Sequence, residues 1–154
     1  MRVKIGGMNA VSPIKPAVGV DAFHRERSRC VDAFALAEAH IAAILTRGGE
    51  KCSSEPLGAK LEHLRKLKTS PNYSAANKKR VDELLVAISA LLPVRADIVH
   101  SRLVLVEIEG VKHAQFLNAV ESAQPFPTVR LLTFDQMRDL TRRVDELAGK
   151  LKTG

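Results

Sequence analysis

Arg95 and His100 stand five positions apart in the run Arg-Ala-Asp-Ile-Val-His, just beyond Pro93. An arginine's planar fork donates two parallel hydrogen bonds to a phosphate and keeps its charge at any working pH. A histidine exchanges protons near neutrality without special tuning. Together these side chains suit the holding or cutting of RNA, with His100 moving a proton and Arg95 gripping the phosphate. Asp97 lies three residues before His100, close enough on a helix to orient the imidazole. The competing expectation is structural: Arg95 pairs with Asp97 or Glu107, and His100 is a partly buried cap at a helix end.

The elements that must position these residues are legible in the hydrophobic spacing. Phe23, Cys30, Phe34, Ala37, Ile41, Ile44 and Leu45 recur at helical intervals, predicting a long first helix from an N-cap at Asp21 to Gly48-Gly49. Leu57, Leu61, Leu64 and Leu67 line a shorter second helix. The stretch Thr69 to Asn77 reads as a connector. Val81, Leu84, Leu85, Ile88, Leu91 and Leu92 line the third helix, which Pro93 kinks or restarts. Arg95 then falls near a first turn, where unpaired backbone N–H groups favour an anion.

After His100 the period changes from 3.6 to 2. Leu103 to Ile108 and Val111 to Leu117 read as a β-hairpin around Glu109-Gly110, and Thr128 to Leu132 as a short third strand. Thr133 and Gln136 have capping-box spacing for a last helix, with Leu132 and Met137 as its hydrophobic staple. Residues 1–20 read as a flexible arm, and residues 21–154 as a single helical domain with its hairpin around 103–117.

Composition narrows the function. One Tyr, no Trp and five Phe leave an aliphatic core and few platforms for stacking bases. The net charge is +7, and between Arg47 and Arg80 nine Lys or Arg face only three Glu. Such a cluster suits a polyanion, with Lys78, Lys79 and Arg80 as the candidate phosphate contacts. Cys30 and Cys52 have no zinc-type spacing, and His24, His40, His63 and His113 are scattered, so neither metal nor cofactor is expected. No apolar run is long enough for a membrane helix or a secretory signal, which predicts a soluble, cytoplasmic chain.

At Arg95 to His100 the chain resembles the RxxxxH signature of HEPN domains, small helical bundles common among bacterial ribonuclease toxins and antiviral proteins. The likeness covers the helical pattern of roughly residues 21–102. It departs at Ala96, where active members usually carry Asn, Asp or His. The residue pattern gives a mainly α chain, four helices with a small antiparallel β-hairpin inserted before the last helix. The resemblance implies a bundle of HEPN-like type, although that hairpin is not part of the family's minimal core. It also implies a homodimer whose two motifs share one cleft, in a defence or toxin–antitoxin setting. There His100 and Arg95 would cleave RNA without metal, with Asp97 orienting. The alternative is a catalytically inactive dimeric protein-interaction module of the same fold. On an ideal helix Arg95 and His100 diverge by about 140°, so one protomer alone does not aim both at one atom.

Overall fold

The computed structural model describes residues 18–51, 54–117 and 129–152. Its elements run α1 (Val20–Arg47), α2 (Leu57–Lys66), α3 (Ala75–Ser89), α4 (Leu92–His100), β1 (Arg102–Ile108), β2 (Val111–Leu117), β3 (Val129–Thr133) and α5 (Phe134–Lys152). The chain is mainly helical with a small three-stranded antiparallel sheet, in the order β1-β2-β3. Among the described residues five helices stand where four were expected. The difference lies at Pro93, which occupies the first turn of α4, where a missing N–H breaks no intrahelical bond. Ala90 and Leu91 close α3 through N–H bonds to Val86 and Ile88, and the chain restarts at once. The remainder of the expected arm, residues 1–17, lies outside the described residues, and so does Cys52.

Two helix starts differ from expectation. Gly19, not Asp21, is the N-cap of α1, and Asp21 lies inside the first turn, where its charge favours the helix dipole. The connector ends earlier than its composition suggests. Ser70 and Tyr73 exchange two backbone hydrogen bonds around Pro71-Asn72, and the Ser74 hydroxyl accepts from Asn77 N at 3.2 Å to start α3. The exit from α1 needs glycine twice. A Cβ on Gly48 would meet Leu67 at 2.6 Å, and Gly49 has a φ of +87°.

The apolar stripe of α1 is buried from Phe23 to Leu45, packed most extensively against Met137, Val144, Ala148 and Leu151 of α5. Leu57, Leu61 and Leu64 of α2 and Val81, Leu85 and Ile88 of α3 complete the helical core. Cys30 is wholly enclosed there as a small hydrophobe, and burial pushes its thiol up to about 11. A hydrogen bond with Thr141 works against that rise, while Glu26 and Asp145 add to it.

The sheet leans on this core with one face. Leu103, Ala114 and Phe116 are buried, with Leu105 and Leu132 packed beside them. Its last strand enters α5 without a loop. Thr133 N donates to Gln136 Oε1 at 2.9 Å, and Gln136 N donates to Thr133 Oγ1 at 3.2 Å, the reciprocal capping box expected from the sequence. Phe134 then meets Phe23 edge to face at 5.3 Å.

Candidate functional site

The nine residues of α4 carry Arg95, Asp97 and His100 in three directions. Arg95 is half-buried and turned toward α1, its guanidinium 3.8 Å from Glu38 Oε2. That distance is Coulombic contact and too long for a hydrogen bond. Glu38 is shared, since its other oxygen accepts from Lys60 Nζ of α2 at 2.6 Å. One carboxylate thus holds two cations from two other helices. The Arg95 Nε is itself buried and makes no hydrogen bond among the described residues.

Asp97 faces the opposite way, into the sheet. Its side chain is 6% exposed and accepts a hydrogen bond from the Arg130 Nε of β3. Arg130 stands opposite Phe116 on the inner face of the sheet, so this ion pair fastens α4 to β3. A buried carboxylate without such a partner would be costly, which explains a charged residue in the middle of a short strand. His100 is the last residue of α4 and is exposed to solvent. The structural expectation for the motif is therefore corrected in both parts. The ionic partner of Arg95 is Glu38, in place of Asp97 or Glu107, and His100 is not partly buried.

What closes α4 is Arg27, which the sequence reading passed over. Its Nε donates to the Ile98 carbonyl at 2.9 Å and its Nη2 to the Ser101 carbonyl at 2.7 Å. A helix end leaves such carbonyls unpaired, and a cation there also favours the dipole. A signal was present: Arg27 interrupts the apolar stripe between Phe23 and Cys30, a position where a charge must find a partner. Arg130 has the same kind of signal, on the inward-facing parity of its strand.

The basic triplet at the start of α3 is also partly engaged. Lys78 Nζ donates to the Arg65 carbonyl at 2.9 Å and to Asp82 at 3.3 Å. Arg80 donates to the Lys150 carbonyl at the end of α5 and to Asn77 Oδ1. Lys79 is exposed. Lys78 and Lys79 share the rim of a shallow pocket of about 460 Å³ with Asp82, Glu83 and Val86, so the local field is mixed in sign.

Two further surfaces stand out. Between α1 and α5 runs a groove of about 960 Å³ lined by six carboxylates and three arginines, among them Glu26 and Arg29, which lie 3.7 Å apart. The other is the outer face of the sheet. The register aligns Arg102, Leu117 and Val129 in one row, Val104, Gln115 and Leu131 in the next, then Val106, His113 and Thr133, and finally Ile108 with Val111. Six aliphatic side chains of this face are 40–49% exposed, and Arg102 is its one formal charge. Scattered exposed aliphatics are ordinary on a monomer, but a contiguous set on one sheet face marks an interaction surface.

Among the described residues, no three His, Cys, Asp or Glu side chains are placed to hold a metal ion, and no helix is long and apolar enough to cross a membrane. No protein-family model matches the chain, and no curated protein or solved structure matches it either.

Proposed function

We propose that this chain is a protein-interaction module that docks a partner through the outer face of its sheet. The observation that carries the reading is the set Val104, Ile108, Val111, Leu117, Val129 and Leu131, all exposed on one face. The partner is a protein with an apolar centre. Nucleic acid would need Lys or Arg at its phosphates, and this face offers Arg102 alone. The area is of the right order. Six half-exposed aliphatics and their polar neighbours amount to roughly 500 Å² per side, against about 800 Å² in a standard interface. The helices serve as the rigid platform, with α4 pinning the sheet through Asp97 and Arg130.

The test is retention of a specific partner by the immobilised full chain. Leu117→Asp with Leu131→Asp is expected to abolish retention, while Lys78→Glu with Lys79→Glu leaves it intact. Equal retention by both double variants would overturn the reading.

A second reading keeps the HEPN-like site. It is favoured by the exposed imidazole of His100 and by the Arg95 Nε, which has no hydrogen-bond partner. It needs two copies of α4 facing one cleft, with Asp97 released from Arg130 if it is to orient His100. Under it, RNA cleavage survives EDTA and leaves 2′,3′-cyclic phosphate ends, and His100→Ala and Arg95→Ala each cost ~100-fold or more. An intact RNA pool after incubation with the wild-type chain would dispose of it.

A further inference from the structure

The hairpin turn decides which main-chain groups of β1 face which way. Glu109 has a φ of 51° and Gly110 one of 76°. A two-residue loop with both values positive is a type I′ turn, and the residues flanking it form a hydrogen-bonded pair. From Ile108–Val111 such pairs recur at every second position, at Val106–His113, Val104–Gln115 and Arg102–Leu117. The N–H and C=O groups of Leu103, Leu105 and Glu107 therefore point away from β2. Among the described residues, no backbone hydrogen bond takes them up.

The two edges of this sheet are managed differently. β3 is five residues long, carries Arg130 on its inner face and runs straight into the cap of α5. A short strand with an inward charge resists further pairing. β1 is seven residues long, has no proline, and keeps an unbroken register with aliphatic side chains from Leu103 to Val106. Such an edge is a template for another strand.

We propose that β1 pairs antiparallel with β1 of a second copy, about a two-fold axis at Leu105, joining two sheets into one of six strands. An isologous contact must match itself, and this strand does. Odd positions bond only to odd positions. The register centred on Leu105 is the one in which Leu103, Leu105 and Glu107 of each copy all find partners among the same three residues of the other. Glu107 then lies opposite Leu103, so no like charges oppose. On the outer face, Val104 meets Val106 of the second copy at a non-hydrogen-bonded pair, where side chains approach most closely.

The pairing stands whether or not a partner docks on the outer face, but it doubles that face into one continuous apolar surface. It also sets the two copies of Arg102, at the start of β1, six strand positions apart, about 20 Å at the rise of a β-strand.

The test uses the full chain in sedimentation across a concentration series, with hydrogen exchange read at the amides of Leu103, Leu105 and Glu107. The wild type is expected to dimerise, with protection at those three amides rising with concentration. Val104→Lys with Val106→Lys brings lysines together twice across the axis. Val104→Lys with Val106→Glu brings lysine to glutamate instead. The all-lysine variant is expected to associate ~100-fold more weakly than the lysine–glutamate variant, since like-charge contacts cost several kcal/mol. Circular dichroism and a melt for each establish that both variants are folded.

Equal association of the two folded variants overturns the proposal. So does a wild type that stays monomeric up to about 1 mM, the weakest affinity such a contact could usefully have. Protection of the three amides in a chain that sediments as a monomer would place their partner within one chain, and that too overturns it. Loss of partner retention on Leu131→Asp with dimerisation intact would separate the docking reading from this one.

Discussion

α4 and the outer face of the sheet are neighbours in sequence and opposites in commitment. In α4, Arg95 is drawn to Glu38, Asp97 is bonded to Arg130, and the helix end is capped by Arg27. On the outer face, Val104, Ile108, Val111, Leu117, Val129 and Leu131 are each 40–49% exposed. Two of the motif's residues, Arg95 and Asp97, are thus committed to holding the fold, and His100 stays exposed. The aliphatic positions of the outer face are exposed beside them.

The largest way to break this contrast is Asp97→Ala. It strips Arg130 of its carboxylate and releases α4 from β3, and is expected to cost about 3 kcal/mol, toward the low end for a buried pair because Arg130 is one-third exposed. A denaturant melt reads it directly. Asp97→Leu with Arg130→Met should recover most of that loss, because an apolar pair of similar volume replaces a buried ion pair without penalty. No recovery would mean that the carboxylate does something besides pinning the sheet.

Arg27→Ala comes next, at about 1–2 kcal/mol, the scale of losing charge-assisted bonds to two carbonyls. Exchange should quicken at the last turn of α4 while the strands stay protected. Smallest of all is Leu131→Ser. That side chain is 40% exposed and lies outside the core, so stability should move by less than about 1 kcal/mol while partner retention falls. A large loss of stability from Leu131→Ser would show that the outer face is already covered, and the contrast would collapse.

Much of the architecture was legible because it depends on spacing. The stripe of α1, the hairpin at Glu109-Gly110 and the capping box at Thr133 and Gln136 follow from local periodicity and turn chemistry, and each lies where the residues place it. The start of α3 was missed because Ser74-Ala75-Ala76 has the composition of a loop, while one hydroxyl on Asn77 N makes it a helix. The partners around α4 were harder. Glu38 reaches Arg95 across 57 positions of sequence and Arg27 reaches Ile98 across 71, and single-sequence spacing carries no distance between such residues. Their signal was weaker but real: a charge where periodicity expects an apolar side chain.

Among the described residues the most extensive helix pairing joins α1 to α5, the first and last of the described elements in chain order. During synthesis, domains assemble from the N-terminal end as chain emerges. Here the apolar stripe of α1 leaves the ribosome without its main cover and waits for every intervening element before Met137, Val144 and Leu151 arrive. Closing that long loop delays folding more than it weakens the folded state.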